Sequence, residues 1–455
     1  MLAAGQGTRM RSRRPKVLHA LAGRTMLGWV LAALSEGGVE RTVAVLGHGA
    51  DEVAETLPEG VAVAIQAEQL GTGHATAIGL DALDEGATTV VVACGDTPLL
   101  EAGTIAELLA AHARSGDRAT MVTAVLPDGG AYGRVIRDAG GGVARVVEAR
   151  DADPEELAVG EVNAGLYAFD RVALADAIGR VGSDNDQGEV YLPDVLPLLG
   201  GGVGALTAAP EVILGVNNRI DLAACEDVLR ARIRARLMLA GVTLTDPAGV
   251  YIDAGVEVGP DTVLHPGTHL RGATSVGGEC EIGPDTVVAD SEIGEGCRVV
   301  ASHVHDSRLA AGSQVGPFAY LRPGADLAPG ARVGTFVEVK NATLGPGAKV
   351  PHLSYVGDAE VGEGTNIGAG NITANYDGFR KHRTTIGARV KTGSDCVFVA
   401  PVTVGDDAMT AAGSIITKDV PAGALGIARA YQDNKEGFTQ RAAERAAKAG
   451  REGAK

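Results

Sequence analysis

The fold is decided by residues 309–422, which begin LAAGSQVGPFAYLRPGADLAPGARVGTFVEVK. An aliphatic residue, or occasionally threonine, returns here about every six positions, often beside Gly, Asp, Asn or Pro. The repeated positions are Leu309, Val315, Leu321, Leu327, Val333, Val339, Leu344, Val350, Val356, Val361, Ile367, Ile386, Thr392, Phe398, Val404, Thr410, Ile416 and Ala422. The same period runs earlier through Val258, Leu264, Leu270, Val276, Ile282 and Val288. This pattern predicts a parallel β-helix of roughly nine coils, with three short strands in each coil.

The repeat resembles the left-handed β-helix of the hexapeptide-repeat acyltransferases. The left hand comes from this resemblance, because parallel crossovers are otherwise right-handed. The period is interrupted over Asn371–Thr385. An insertion in a solenoid forms a protruding loop, often at the binding face, so we expect functional residues near this segment.

Composition limits the possible classes of protein. The 455 residues suggest two or three domains, and the net charge of −17 argues against a nucleic-acid partner. The cysteines are Cys94, Cys225, Cys280, Cys297 and Cys396. They are scattered and odd in number, which is typical of reduced cytosolic thiols rather than disulfides or a zinc site. With no membrane-length apolar run and no signal peptide, the sequence predicts a cytoplasmic protein without membrane insertion.

The chain opens with MLAAGQGTRM and continues with PKVL at residues 15–18. A glycine-rich turn after an apolar stretch, followed by Arg9 and Lys16, predicts a phosphate cradle, because backbone N–H groups and cations face the anion together. β-rich apolar runs at 42–46 and 89–93 alternate with helical patterns at about 26–38, 73–84 and 103–115. This alternation predicts a doubly wound, Rossmann-like α/β sheet, whose ligands bind beyond the carboxyl ends of the strands.

The opening resembles the signature of the sugar-1-phosphate nucleotidyltransferases, LAAGxGTRM followed by PKxL. That family often has Lys where this chain has Gln6. The resemblance implies that Arg9 and Lys16 stabilise phosphate charge while a sugar phosphate attacks the α-phosphate of UTP. Only four residues precede Gly5, whereas a core strand usually needs about five or six. We therefore expect a truncated first strand and a weakened nucleotidyltransferase core.

The resemblance also implies a binding set for UTP and UDP-N-acetylglucosamine. Its members are Leu2, Ala3, Ala4, Gly5, Lys16, Gln66, Gly71, Thr72, Gly133, Glu148, Asn163 and Asn217. Asp96 follows an apolar run, where a carboxylate can hold Mg²⁺ together with phosphates and water. A turn Asp that bonds its own backbone is the ordinary alternative. The resemblance favours the metal, with Asn217 as the second ligand.

Polar residues gather near the interruption of the repeat, in the strings HLSYVGDAE and NIGAGNITANYDG. From Leu2 to about Gly437, the chain resembles the bacterial bifunctional N-acetylglucosamine-1-phosphate uridyltransferases and glucosamine-1-phosphate acetyltransferases. The resemblance implies that His352 is the general base of acetyl transfer. It implies that glucosamine-1-phosphate contacts Arg322, Lys340, Tyr355, Asn366 and Lys381. It implies that acetyl-CoA contacts Ala369, Asn375, Tyr376, Ser394, Ala412 and Arg429.

The expected function is acetyl transfer followed by uridylyl transfer, giving UDP-N-acetylglucosamine. The resemblance implies Mg²⁺ as cofactor, acetyl-CoA as co-substrate and a homotrimer with active sites between neighbouring prisms. The sequence of this chain departs from the family at Asn341, where a second Lys is common, and at Ser354, which replaces Thr. Two alternatives remain open: a monofunctional nucleotidyltransferase whose β-helix only trimerises it, and a non-catalytic trimeric scaffold.

Four segments are expected along the chain. They are a nucleotidyltransferase domain at 1–218, a helical linker arm at 219–241, the β-helix acetyltransferase domain at 242–430 and a polar tail at 431–455. Arg219–Leu239 contains neither Gly nor Pro and is rich in Leu, Ala, Arg and Glu, which predicts a helix roughly 30 Å long. The tail is expected to be a frayed helix or disordered.

Overall fold

The computed structural model describes residues 1–84 and 86–452. Contacts between residues divide the chain into two compact units. The first comprises Met1–Leu239 with Tyr251–Gly255, and the second comprises Ala240–Val250 with the residues from Val256 onward. Among the helices of the described ranges, none is both long enough and apolar enough to cross a membrane.

The first unit alternates strands and helices. Its strands are β1 (Leu2–Ala3), β2 (Ala20–Leu21), β3 (Arg24–Thr25), β4 (Val43–Leu46), β5 (Ala62–Ile65), β6 (Thr89–Val92), β7 (Ala119–Val125), β8 (Arg134–Arg137), β9 (Val143–Val147), β10 (Glu161–Asp170) and β11 (Val203–Thr207). Its helices are α1 (Met26–Glu36), α2 (Ala50–Ala54), α3 (Thr72–Asp81), α4 (Ala102–Ser115), α5 (Pro154–Leu157), α6 (Arg171–Ile178) and α7 (Arg219–Leu239). The helices predicted near 26–38, 73–84 and 103–115 correspond to α1, α3 and α4.

The central sheet of the first unit is mixed. β4 lies between β1 and β5 and is parallel to both. Leu2 also forms a parallel bridge with Cys94, just beyond the end of β6. β10 runs antiparallel to both β6 and β7, while β11 is parallel to β7. The predicted α/β fold is confirmed, and the antiparallel β10 distinguishes it from a wholly parallel sheet.

β1 is the shortest strand at the centre of this sheet, with only Leu2 and Ala3. The amino group of Met1 is buried and donates a hydrogen bond to the Val43 carbonyl oxygen at 2.9 Å. A cavity of about 380 Å³ lies beside it, lined by residues of β4 and β6 among others. The loops that leave the carboxyl ends of β1, β5 and β6 carry the residues expected to bind the nucleotide.

The remaining strands are short and belong to the second unit, except that the strand Val250–Ile252 is divided between the two units after Val250. They are β12 (Thr243–Leu244), β13 (Val250–Ile252), β14 (Glu257–Val258), β15 (Val263–Leu264), β16 (Thr268–Arg271), β17 (Ser275–Val276), β18 (Glu281–Ile282), β19 (Val287–Ala289), β20 (Glu292–Ile293), β21 (Arg298–Val299), β22 (His303–His305), β23 (Arg308–Leu309), β24 (Gln314–Val315), β25 (Tyr320–Leu321), β26 (Ala325–Leu327), β27 (Arg332–Thr335), β28 (Glu338–Lys340), β29 (Ala342–Leu344), β30 (Lys349–His352), β31 (Tyr355–Gly357), β32 (Ala359–Val361), β33 (Ile372–Ala374), β34 (Thr384–Ile386), β35 (Val397–Val399), β36 (Val402–Val404), β37 (Met409–Thr410), β38 (Ile415–Ile416) and β39 (Leu425–Gly426).

These strands stack into three parallel sheets, the faces of a left-handed β-helix. The first face runs from β12 to β30 through every third strand and has seven strands. The second face, from β13 to β38, has ten strands, and the third, from β14 to β36, has nine. Beyond β30, bridges through Asn366 and Lys391 and the β37–β39 pair continue the first face. The prediction of roughly nine coils is confirmed.

The repeated aliphatic positions fill the interior of the prism. Leu321, Val339 and Val350 are each 0% exposed, and Phe398 is 1% exposed. The prediction is wrong at its last position, because Ala422 is exposed and Val420 is buried instead. Val420 forms a parallel bridge with Val404, so the final coil is two residues shorter than the period predicts.

Two bends of each coil carry residues that are expected to bind substrates. The first corner joins the first face to the second, and in one coil it consists of Leu353 and Ser354. The second corner joins the second face to the third, and Asn341 and Asp358 form it in successive coils. Leu353, Asn341 and Asp358 have φ values of 48°, 44° and 48°, which let the chain turn sharply at these single positions.

α7 has the bounds that the sequence predicts for the arm, Arg219–Leu239. Its Cys225 and Leu229 are buried in a cluster with Met10, Met26 and Leu99 of the first unit. The helix therefore packs against the rest of the first unit. The boundaries of the four segments predicted from the sequence remain a prediction. In the tail, helix α8 spans Phe438–Glu452.

Candidate active sites

The glycine-rich loop after β1 determines where Lys16 lies. Gly7 has a φ of 61°, and a Cβ there would stand 2.6 Å from the Cβ of Lys16, so this approach requires glycine. Lys16 begins a short 3₁₀ helix anchored by buried Val17 and Leu18. Its ammonium nitrogen lies 2.5 Å from Oδ2 of Asp96. The glycine-rich loop therefore contacts a cation through Gly7 and leaves Gly5 exposed, as a phosphate cradle requires.

The two expected metal ligands lie on adjacent backbone segments. The N–H of Val216 donates to the carbonyl oxygen of Asp96 at 2.9 Å. The Arg9 guanidinium donates to Oδ1 of Asn217 at 2.8 Å. The Asp96 carboxylate faces Lys16 and the Asn217 amide oxygen faces Arg9, and both are hard oxygen donors of the kind that Mg²⁺ takes. In the described ranges, no group of three or more His, Cys, Asp or Glu residues forms a metal cage.

Gln66 lies at the end of β5 with its amide orientation fixed. Its side chain is buried, and Nε2 lies 3.1 Å from the Gly71 carbonyl oxygen and 3.1 Å from Nδ1 of His74. Both contacts use the donor end of the amide, which leaves Oε1 to accept from a ligand. His74 thus orients Gln66. The hydroxyl of Thr72 accepts from the Leu192 N–H at 2.9 Å, which ties this loop to the segment after residue 190.

Gly133, Glu148 and Asn163 form one group at the edge of the sheet. The Asn163 N–H donates to the Gly133 carbonyl oxygen at 2.9 Å. A Cβ on Gly133 would stand 3.2 Å from Oε1 of Glu148. Burial raises the pKa of Glu148, and the carboxylates of Asp194 and Asp151 raise it further. This group can bind hydroxyl groups, because a carboxyl group and an amide provide donors and acceptors together.

A cationic cluster lies at the second corner of the β-helix. Lys340 and Lys381 are in contact, and this contact with Lys340 lowers the pKa of Lys381. Arg322 donates to Oε1 of Glu338 at 2.7 Å. Tyr355 pairs with Glu338 across neighbouring strands. The structure therefore brings together four of the five residues expected to bind glucosamine-1-phosphate.

Asp358 is a member of this cluster that sequence reasoning did not single out. Its side chain is buried, and Oδ1 accepts from Nδ2 of Asn341 at 2.6 Å. Oδ2 accepts from Nδ2 of Asn375, which also lies 3.4 Å from the Tyr355 hydroxyl. Asn341, a departure from the family, is thus a partner of this carboxylate. The available signal was an Asp at a corner position in VGDAE, directly after a strand.

A separate set of residues stacks at the first corner. The Gly370 N–H donates to the His352 carbonyl oxygen at 3.4 Å, and the Asp395 N–H donates to that of Ala369 at 2.7 Å. In the next coil the Gly413 N–H donates to the Ser394 carbonyl oxygen at 2.8 Å. Ala412 precedes Gly413, and a Cβ on Gly413 would stand 4.0 Å from Cδ of Arg429. The column of His352, Ala369, Ser394, Ala412 and Arg429 therefore follows one edge of the prism.

Two of the predicted residues lie apart from the cationic cluster within one chain. Asn366 bridges Lys349 and Lys391 on the first face. His352 ends β30 on that same face and is exposed. Among the described residues, no hydrogen bond joins either side chain to the cationic cluster. Asn375 and Tyr376, expected to contact acetyl-CoA, lie with the second corner rather than with the column that contains Ala369.

Comparisons with known proteins agree with this architecture. The family model described as a MobA-like NTP transferase domain matches residues 1–167. The bifunctional protein GlmU of Streptomyces avermitilis is 50% identical over 452 residues, covering 97% of this chain and 93% of the relative. Its counterpart in Streptomyces coelicolor is 49% identical, with the same two coverages. The bifunctional protein GlmU of Mycobacterium bovis is 48% identical over 97% of this chain and 92% of its own length.

An α/β domain with a glycine-rich nucleotide loop, followed by a left-handed β-helix with polar corners, defines a multifunctional transferase. The first part is a nucleotidyltransferase domain and the second has the fold of the hexapeptide-repeat acyltransferases. Identity near 50% over almost the whole length shows that the chain belongs to the GlmU family of bifunctional proteins.

Proposed function

We propose that the protein catalyses two successive transfers that yield UDP-N-acetylglucosamine. Acetyl-CoA acetylates glucosamine-1-phosphate, and UTP then transfers its uridylyl group to the product with release of pyrophosphate. The observation that carries this proposal is that each unit has its own cationic site, one built on Lys16 and the other on Lys340 and Lys381. A β-helix that only trimerised would have no need to hold two mutually repelling ammonium groups together. This argues against the monofunctional and scaffold alternatives.

In the first unit the chain's task is positioning and charge neutralisation. Lys16 and Arg9 bind the triphosphate of UTP, and the exposed backbone at Gly5 of the same glycine-rich loop is accessible to it. Oε1 of Gln66 accepts from the uracil N3–H, because its amide nitrogen is already used. Glu148 and Asn163 contact the sugar hydroxyls. The sugar phosphate oxygen attacks the α-phosphorus, and the bond to pyrophosphate breaks.

Asp96 and Asn217 are the residues that would hold Mg²⁺. Asp96 pairs with Lys16 and Asn217 pairs with Arg9, so each of these oxygens already faces a positive charge. When bound, Mg²⁺ supplies charge neutralisation on the phosphate oxygens. Lys16 and Arg9 then turn from these two side chains to the phosphates.

In the second unit the cationic cluster binds glucosamine-1-phosphate, with Lys340, Lys381 and Arg322 around its phosphate. His352 removes a proton from the substrate ammonium, and the freed amine attacks the thioester carbonyl of acetyl-CoA. The thiolate of coenzyme A then leaves. Ala369, Ser394 and Ala412 line the coenzyme along the first corner, where small side chains leave room, and Arg429 contacts its phosphates.

The separation of the two half-sites supports a homotrimer. His352 and the coenzyme column lie at the first corner, while the phosphate-binding cluster lies at the second. A second copy that packs its second corner against the first corner of this chain completes the site. We propose that three copies close such a ring, since head-to-tail contacts of this type form cyclic assemblies.

The free state of all five cysteines supports placing these reactions in the cytoplasm.

The test is a reconstitution with the purified chain. Incubation with glucosamine-1-phosphate, acetyl-CoA, UTP and Mg²⁺ is expected to release coenzyme A and pyrophosphate and to form UDP-N-acetylglucosamine, measured by mass spectrometry. His352→Ala should abolish coenzyme A release and leave unchanged the release of pyrophosphate from UTP when N-acetylglucosamine-1-phosphate is supplied as the acceptor. Chelation of Mg²⁺ should abolish pyrophosphate release and leave coenzyme A release unchanged. Loss of both reactions together in His352→Ala would count against separate sites, and failure of the unmodified protein in both would refute the proposal.

A further inference from the structure

The interruption of the repeat folds into a hairpin with a defined shape. Tyr376 and Lys381 form an antiparallel bridge, and the His382 N–H donates to the Asn375 carbonyl oxygen at 2.8 Å. The tip projects into solvent, because Phe379 is 92% exposed. Asn375 and Lys381, both expected to contact substrates, thus stand on the two opposing sides of one hairpin.

Asp377 holds the turn of this hairpin. Its Oδ1 accepts from the N–H groups of Phe379 at 2.8 Å and Arg380 at 2.6 Å, and its Oδ2 lies 2.7 Å from Nε2 of His382. These backbone hydrogen bonds and His382 hold the pKa of Asp377 at about 2. The carboxylate is therefore ionised throughout the neutral range and spans the hairpin from one strand to the other.

Asp358 holds the base of the hairpin. Because its two oxygens accept from two different amides, those of Asn341 and Asn375, both acceptor positions are in use. An isosteric Asn at this position could accept from only one of the two and would turn its own N–H toward the other donor. The carboxylate also lies close enough to Lys381 to favour its charged form.

The hairpin must resist a repulsion. Lys340 and Lys381 are in contact, so two ammonium groups push the hairpin away from the second corner until an anion binds between them. The exposed tip contributes no packing that would oppose this force. Asp358 opposes it directly, because it joins Asn375 at the base of the hairpin to Asn341 at the second corner. Asp377 acts within the hairpin, where its contacts with Phe379, Arg380 and His382 keep the turn in shape.

We propose that Asp358 and Asp377 are positioning residues that hold the hairpin so that Lys381 and Lys340 receive the phosphate of the acetyl acceptor together. This inference rests on the proposed acetyltransferase function. It adds two residues that do not contact substrate and that act through Asn375 and Lys381.

The test compares Asp358→Asn and Asp377→Ala with the unmodified protein in both reactions. For each variant the KM for glucosamine-1-phosphate should rise about tenfold or more, the size expected when a hydrogen bond to a charged group is lost. kcat for acetyl transfer should change less than threefold, and uridylyl transfer should be unchanged. Asp377→Asn should show a smaller rise, because its remaining oxygen still accepts both backbone N–H groups. In a double-mutant cycle, Asp358→Asn with Lys381→Met should be non-additive.

The matched control is Asp407→Asn, which breaks an exposed ion pair with Arg389 at 2.7 Å and should leave both KM values unchanged. A KM within twofold of the original in folded Asp358→Asn and Asp377→Ala would overturn the positioning role. Thermal unfolding identifies variants that fail to fold. If Asp358→Asn fails to fold, Asp377→Ala still tests the proposal, because Asp377 is exposed and its replacement leaves the core intact. The unmodified protein distinguishes failure of the positioning role from failure of the proposed function. If the unmodified protein shows no acetyl transfer, the acetyltransferase function itself is refuted.

Discussion

At the scale of single residues, the nucleotide site depends on positions that have no side chain. Gly7 lets Lys16 approach, and Gly71 lets the loop that is proposed to bind uracil approach the segment at residue 190. Gly71 has φ 105° and ψ 176°, a region essentially restricted to glycine. A Cβ there would stand 2.5 Å from the carbonyl oxygen of Val190. These glycines are therefore required by geometry.

Gly71→Ala should lower the free energy of unfolding by about 2 kcal/mol, from backbone strain and the clash with Val190. The KM for UTP should rise, because Thr72 moves with the loop. Urea unfolding and steady-state kinetics measure the two effects. Gly103→Ala is the matched control, since nothing lies within 4 Å of its added Cβ in helix α4. It should be neutral or slightly stabilising, and equal losses in both variants would contradict the argument.

His112 should make stability depend on pH. Its imidazole is buried, with Nδ1 3.1 Å from the Thr120 hydroxyl, and burial lowers its pKa from 6.5 although Asp170 and Asp117 oppose this. The unfolded chain therefore binds the proton more readily, so this contribution is complete above pH 6.5 and is lost as pH falls below it. Urea unfolding between about pH 7.5 and 5.5 should show a shallower pH slope for His112→Gln. A control, His48→Gln, removes an exposed imidazole and should keep the original slope.

At the scale of elements, the first turn of helix α7 positions Asn217, the proposed metal ligand. Oδ1 of Asn218 accepts from the N–H groups of Ile220 at 2.8 Å and Asp221 at 3.1 Å. In the opposite direction, Oδ2 of Asp221 accepts hydrogen bonds from the N–H groups of Asn218 at 3.2 Å and Asn217 at 2.9 Å. This is a reciprocal cap, and it fixes the backbone of Asn217 at the proposed Mg²⁺ site.

Asn218→Ala should therefore cost about 1 kcal/mol of stability and raise the Mg²⁺ concentration needed for half-maximal uridylyl transfer. The stability loss follows from two N–H groups left without their acceptor, and the metal effect follows from a looser Asn217. Asn218→Asp, which keeps the capping oxygen, should restore both. Acetyl transfer is the internal control and should not change. A metal requirement that stays constant in Asn218→Ala would show that the cap does not position Asn217.

At the scale of the whole molecule, the residues proposed for acetyl transfer lie at two different corners of one chain. The proposed trimer then makes a quantitative prediction. Co-expressed His352→Ala and Lys340→Ala chains, each inactive alone, should recover about a quarter of the original acetyl transfer, because one shared site in four combines two intact halves. His352→Ala with Asn366→Ala, both on the first face, should recover none. Recovery in neither mixture would mean that each site lies within one chain.

The β-helix was predictable because its period is local. An aliphatic residue every six positions specifies strand, corner and interior without reference to distant residues. The prediction failed at Ala422, where the last coil shortens, and Val258 near the start of the repeat is only partly buried. The bounds of α7 were predictable for the same reason. The antiparallel direction of β10 could not be predicted from the sequence, because strand direction depends on pairing across the sheet.

The sequence by itself therefore determined the two architectures, the positions of the glycine loop and the interruption, and the residue types that can do the chemistry. Only the tertiary structure decided which of those residues meet. It placed Lys16 on Asp96, Asn375 on Asp358, and His352 at a different corner from Lys340. The physical reason is that a repeat fixes each residue's place within its own coil, whereas side-chain contacts depend on the stacking of coils and on the path of the hairpin between them.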